Sequence, residues 1–159
     1  MPGIQIRRAL STDAAAIASV ILQSFLEFQD SYTPAGFAAT TPYANEMQER
    51  MREGPVWVAL HEDSVVGTVS VVHKKKGVYI RSMAVLPSAR GFGVGSALLA
   101  KVESFAAAEG VRRLFLSTTP FLSSAIQLYE RFGFQRSGEG PHDLFGTPLF
   151  TMVKNVSGG

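Results

Sequence analysis

From Ile4 to Leu10 apolar and polar residues alternate, with Ile4, Ile6 and Leu10 set against Gln5 and Arg7, which predicts a first strand. The period then lengthens. Ile17, Val20, Ile21, Phe25 and Phe28 recur at i, i+3, i+4 spacing and predict a helix, with Ser11 or Thr12 as its N-cap and Asp13 in its first turn. Gln29 to Thr40 carries Tyr32, Pro34, Gly36 and Phe37 without a regular period and reads as a loop. Thr41-Pro42 predicts the start of a second helix, with Pro42 at its first position, Tyr43, Met47 and Met51 on one face, and an end near Gly54-Pro55.

The middle of the chain is rich in strand formers. Val56 to Leu60, Val65 to Val72 and Val78 to Leu86 are separated by the short polar connections HEDS and HKKKG, which predicts an antiparallel meander. Val94, Ala97, Leu98, Val102, Phe105 and Ala106 then line one face of a helix that Gly110 ends. Val111 to Thr118 is the next strand. Reaching it from Leu86 through a helix is a crossover connection, so these two strands should run parallel. Pro120 to Arg131 is the last helix, and Phe132 to Ser137 and Pro148 to Lys154 are a closing strand pair around the turn-rich loop GEGPHDLFGT. No repeat or linker divides residues 4–156, which read as one domain, and 157–159 read as a frayed tail.

Chemistry concentrates in MAVLPSARGFGVGSALL, residues 83–99. A strand ends at Pro87, a glycine-punctuated basic turn follows, and helical spacing begins at Val94. Gly91, Gly93 and Gly95 can adopt positive φ and carry no Cβ, so backbone N–H groups can converge on an anion. The helix start adds its dipole and its unpaired N–H groups, and Arg90 adds a positive charge. A phosphate or pyrophosphate is the natural guest. The turn is not a Walker loop, because Ser96 and Ala97 follow Gly95 where Lys and Ser/Thr are required. A dinucleotide fingerprint fits poorly, since Ser96 falls where the third glycine or alanine belongs and the next strand ends without a ribose-binding acid.

The pattern that remains is Arg-x-x-Gly-x-Gly at Arg90, Gly93 and Gly95, preceded by Val85-Leu86-Pro87 and followed downstream by AIQLYERFGF from Ala125 to Phe134. With these two motifs in this order the chain resembles the GNAT superfamily of N-acetyltransferases. The resemblance implies a single-domain α/β (α+β) fold, a mixed sheet largely antiparallel with one parallel central pair and helices on both faces. It also implies acetyl-CoA as co-substrate and a small-molecule or protein amine as acceptor. The main chain of Met83, Ala84 and Val85 would meet the pantetheine and thioester, and Arg90, Gly91, Phe92, Gly93, Val94, Gly95 and Ser96 would hold the pyrophosphate. Tyr129 falls at the family's usual Tyr position and is the candidate general acid. Two positions depart from the family pattern: Tyr79 stands where many relatives carry an acid that deprotonates the amine, and Leu122 where many carry an Asn. The general base is therefore unassigned among His73, His142 and Glu27. Phe28, Tyr32 and Phe37 could wall an acceptor pocket or belong to the core, and an apolar wall would favour a hydrophobic or aromatic amine over a polycation.

Composition narrows the remaining classes. At 159 residues and 46% hydrophobic, the chain should bury about 70% of its unfolded surface. The absence of cysteine excludes disulfides, thiolate metal sites and a cysteine nucleophile. Three scattered histidines offer no metal cluster, and no G-x-S-x-G elbow supports a serine hydrolase. A net charge of +2 is too small for a nucleic-acid footprint, and Lys74, Lys75 and Lys76 read as a solvated hairpin tip. Ala14 to Leu22 is too short to span a membrane and lacks the flanks of a signal peptide. The expectation is a cytoplasmic monomer or homodimer with no metal, no nucleic-acid partner and no membrane partner. The alternatives are a non-catalytic acyl-CoA-binding or regulatory module and, more remotely, a dinucleotide-binding domain.

Overall fold

A computed structural model describes residues 3–140 and 142–156, so the tail expected at 157–159 lies outside the described residues. The chain runs β1 (Ile4–Arg8), α1 (Ala14–Phe25), α2 (Pro34–Thr40), α3 (Ala44–Glu53), β2 (Val56–His61), β3 (Ser64–Lys74), β4 (Gly77–Val85), α4 (Val94–Ala108), β5 (Arg113–Thr118), α5 (Ser123–Arg131), β6 (Gln135–Arg136), β7 (His142–Leu144) and β8 (Thr147–Asn155). The sheet order is β1-β2-β3-β4-β5-β8-β6, with β7 folded back on the start of β8. Every pairing is antiparallel except β4 with β5. The expected α/β (α+β) mixed sheet is therefore observed, with helices on both faces.

The two faces follow from strand alternation. Val56, Val58 and Leu60 meet Ile17, Val20, Ile21 and Met47 of α1 and α3. Trp57 and Ala59, one residue out of phase, meet Leu98, Leu99, Val102 and Ala106 of α4, together with Val78, Ile80, Leu114, Leu116 and Met152. Gly67 lets β3 and α4 come this close, because a Cβ there would sit 2.9 Å from Val94.

Five sequence expectations need correction. The first helix is not capped by Ser11 or Thr12, which lie in a 3-10 turn over Ser11–Asp13. Its start is held by Asp13, whose carboxylate accepts the Leu10 N–H at 2.7 Å and pairs with Arg7 at 2.8 Å. It ends at Phe25 and tightens into a 3-10 segment over Leu26–Ser31, which takes Phe28 out of the helical stripe. The supposed loop contains α2: Thr33 caps it by accepting the Gly36 N–H, and Pro34 opens it. Seven residues are too few to be helical alone, and α2 is fastened by Thr33 to Thr147 across 114 positions of sequence. The second helix begins at Ala44 rather than Pro42, and Tyr43 is exposed. Finally, GEGPHDLFGT contains β7 and a two-residue hairpin turn with Phe145 at φ 50° and Gly146 at φ 94°. Such turns favour Asn-Gly or Asp-Gly, so Phe-Gly gave little signal.

Replacing Asp13 by Ala should cost about 1–2 kcal/mol in urea unfolding, the usual worth of a lost helix-start acceptor. The Arg7 guanidinium, and then the Leu10 amide, hold the Asp13 carboxyl below its ordinary value against the opposing effect of burial. A lowered carboxyl pKa stabilises the fold above the ordinary value and loses that contribution as pH falls through the lowered one. The gap between the two proteins should therefore close in strong acid, and a gap independent of pH would contradict the pairing.

Candidate active site at the parting of two strands

The site is built where β4 and β5 separate. Their parallel pairing covers only Val78–Leu114, Tyr79–Phe115 and Ile80–Leu116. Beyond Ile80, β4 continues to Val85 paired with β3 alone, so its other edge is open from Arg81 onward. A bulge lies at the parting. Thr68 opposes Ala84 and Ser70 opposes Arg81, leaving Val69 facing two residues, Ser82 and Met83, with Ser82 at φ 56°. The extra residue reverses which face each side chain takes. Before it, Val78 and Ile80 point to the α4 core; after it, Met83 and Val85 do so, and Ala84 joins the α1 and α3 side. Tyr79 and Arg81 consequently lie on the face of α1 and α3.

At the far end of the open edge, Pro87–Ala89 form a 3-10 turn and the chain enters the glycine loop. Gly91 and Gly93 have φ of 85° and 82°, and a Cβ at either would meet nothing within 4 Å, so the loop is open toward solvent. Gly93 is the N-cap of α4, and among the described residues no side chain caps this 15-residue helix. Its first N–H groups are available. Gly95 is different from what its spacing suggests: it is helical, and a Cβ would lie 2.7 Å from the end of the Leu128 side chain of α5, so glycine lets that side chain pack close. Arg90 also departs from expectation. Its guanidinium is turned toward the first helix, paired with Glu27 and donating to the Ser24 carbonyl at 2.9 Å. What this segment offers an anion is therefore main chain. Ser24 also donates to the Val85 carbonyl at 2.9 Å, which ties α1 to the open edge.

Tyr129 projects from α5 into the same region. It is buried, 8% exposed, with its ring edge-on to Phe134 at 5.9 Å. Burial, and then the fields of Tyr32 and Tyr79, push its phenol well above the ordinary value. It stays protonated and remains a donor. Phe28, Tyr32 and Phe37 are brought together, and Phe121, which the sequence reading missed, joins them: its ring lies 4.9 Å from Tyr32 and 6.1 Å from Phe28. Tyr32 and Phe37 are buried and also line an open hollow of about 430 Å³ with Gln29, Asp30 and Pro34. Burial pushes the Tyr32 phenol up, with Thr119 and Thr40 pulling it the other way. The Thr119 hydroxyl is enclosed close to the Tyr32 phenol, without a hydrogen bond of good geometry among the described residues.

The candidate bases are dispersed or already paired. His73 lies near Glu109 at the far end of α4, about 20 Å along a helix of this length from the glycine loop. His142 is exposed on β7, and Glu27 is occupied by Arg90. Arg50 of α3, also missed from sequence, reaches the parting instead: it donates to the Ser82 hydroxyl and makes a long 3.5 Å contact to the Ala39 carbonyl. Among the described residues there is no group of three or more potential metal ligands, and no helix is long and apolar enough to cross a membrane.

The sequence pattern of the Acetyltransferase (GNAT) family matches residues 22–134. The uncharacterized N-acetyltransferase YjgM of Escherichia coli is 30% identical over 135 residues, which cover 81% of this chain and 80% of that protein. Human N-acetyltransferase 8B is 33% identical over 89 residues, 52% of this chain but only 39% of that longer protein. In three dimensions the chain is similar to the PaiA N-acetyltransferase of Thermoplasma acidophilum, crystallised in complex with coenzyme A, with a TM-score of 0.82 and 15% identity over 96% of this chain and 99% of that one.

Proposed function

The chain belongs to the GNAT family of acetyltransferases, and we propose that it transfers an acetyl group from acetyl-CoA to a primary amine by direct attack of the amine on the thioester. The observation that carries this reading is the strand edge left open from Arg81 to Val85, leading into a glycine turn at an uncapped helix start. Such an edge suits the amide-bearing pantetheine arm, which can add to it as a further strand would. The main chain of Met83, Ala84 and Val85 then orients the thioester, and the N–H groups of residues 90–96 seat the pyrophosphate. The relative that was crystallised with coenzyme A supports the same assignment.

In the reaction the neutral amine nitrogen bonds to the carbonyl carbon, the carbon–sulfur bond breaks, and the sulfur takes a proton. Tyr129 supplies that proton and recovers one from solvent, and the amine's surplus proton leaves through water. N–H groups of the open strand edge meet the negative charge that develops on the carbonyl oxygen. No side-chain base is assigned. An amine with a pKa of about 10 has a small neutral fraction at neutral pH, and this suffices when the site holds it in line.

Incubating the protein with acetyl-CoA and a panel of amines while following free thiol tests the proposal. Thiol release that depends on an amine supports it. The non-catalytic alternative draws on the state of the candidate bases, with His73 beside Glu109 at the far end of α4, His142 exposed on β7 and Glu27 paired with Arg90, and it gains if acetyl-CoA binds but no amine releases thiol. The rate should rise with pH as the amine is freed, with no fall near a pH of about 10, because the burial of Tyr129 keeps its proton in place there. A descending limb at a pH of about 9 would mean that a donor loses its proton there, against the protonated state that burial gives Tyr129. The aromatic group of Phe28, Tyr32, Phe37 and Phe121 favours acceptors with an apolar body, and polyamines outperforming every aromatic or aliphatic amine would reverse that assignment.

A further inference from the structure

We infer that the acceptor amine carries a carboxylate, which Arg50 and Arg81 hold beside the bulge of β4. The inference rests on the acetyltransferase reading and deepens it by naming the acceptor's chemical class. The two arginines flank Ser82, the residue at which β4 leaves β5. Arg50 arrives from α3 and donates to the Ser82 hydroxyl, and Arg81 precedes Ser82 on the strand, directed to the same face of the sheet. That face is the one α1 and α3 cover, opposite the α4 core.

The charge around this pair is incompletely matched. Glu53 pairs with Arg81 at 2.9 Å, and Glu46 accepts the Tyr43 N–H at 3.0 Å at the start of α3. Arg50 is left with neutral oxygens among the described residues, those of Ser82 and Ala39, although a guanidinium has five donors. Its side chain is drawn into the protein, where burial and then the charge of Arg81 disfavour the cation while Glu46 and Glu53 favour it from a distance. The cross-strand pair beside it is also unsatisfied: the Arg81 Nε and the Ser70 Oγ are both enclosed without a partner among the described residues, on residues that face one another across β3 and β4. Buried polar groups in folded proteins are nearly always paired, so unspent donors around a guanidinium that bonds only neutral oxygens mark a place for an acceptor-rich group. Two neighbouring guanidiniums, of which Arg50 makes no ion pair among the described residues, and a planar fork suit a carboxylate. The site also sets a distance. Ser82 is next to Met83, whose main chain orients the thioester, so the amine must lie within a few bonds of the carboxylate, as in an amino acid.

The test compares leucine, phenylalanine and β-alanine, each beside its own carboxamide, as acceptors for the full-length protein at fixed acetyl-CoA. The amide partners have the more acidic ammonium and hence more free amine, so a preference for the acid must come from the protein. We expect kcat/KM for the acids to exceed that for the amides by about 10- to 100-fold, the usual worth of a charge-assisted pair in a partly buried site. Arg50→Met should raise the acid's KM, leave the amide's kcat/KM and the acetyl-CoA KM within about threefold, and so erase the preference. Arg50→Lys should recover part of it. Arg81→Gln gives the same readout should the Met variant be unstable. Equal use of acids and amides, or a variant that lowers both alike, overturns the carboxylate assignment while leaving the acetyltransferase standing. Failure to bind acetyl-CoA at all overturns the acetyltransferase reading itself.

Discussion

Tyr129→Phe is expected to lower kcat by about 10²- to 10⁴-fold while the acetyl-CoA dissociation constant moves by no more than about threefold, the range typical of a lost proton donor. The substitution deletes one oxygen and keeps the ring that packs against Phe134. Burial holds the phenol in its neutral form, and no hydrogen bond contributes to its displaced pKa, so no established partner is orphaned by its removal. Stability should therefore change by less than about 1 kcal/mol. Separating the two readouts decides the matter. A kcat within threefold of the parent would return Tyr129 to the role of a core aromatic, and a matching loss of thermal stability would show that packing was damaged instead.

Gly93→Val is expected to weaken acetyl-CoA binding by about tenfold or more, with kcat at saturation much less affected. Gly93 sits at φ 82° as the N-cap of α4. A side chain there meets no steric obstacle, since nothing lies within 4 Å of the would-be Cβ, so the cost is conformational. The left-handed region costs an L-residue about 1–2 kcal/mol, and a β-branched residue is a poor fit for it. The chain relieves that strain by turning residues 91–94 out of place, and the N–H groups proposed to hold the pyrophosphate turn with them. Gly138→Ala is the matched control, because its backbone is ordinary and its surroundings are open. Binding by both variants at parental strength would show that the glycine turn is not the diphosphate seat.

The long elements were legible because their patterns are local. Alternation over Ile4 to Leu10, the three central strand runs and the helical spacing from Val94 each identified an element to within a few residues. The crossover through α4 likewise implied the parallel pair. The short elements were not legible. Neither α2 nor β7 has enough residues to show a period, and both exist because Thr33 and Gly36 dock on Thr147 and Leu144. In the glycine loop, spacing located the turn correctly but treated its three glycines alike. Two adopt positive φ, and the third is small so that Leu128 can approach.

Tertiary contacts also reassigned charge. Arg90 belongs to the motif by position, yet Glu27, 63 residues earlier, takes its guanidinium. Arg50 belongs to no motif, yet it reaches the bulge from a helix 32 residues before Ser82. Local chemistry was enough to point to the family, the order of the long elements and the glycine turn, since backbone preference and hydrophobic period act between near neighbours. Where the strands part, which face Arg81 occupies and which cations keep unspent donors were set by pairing and packing between distant segments. A bulge of a single residue inverts every side chain beyond it, and nothing in the composition of β4 announces it.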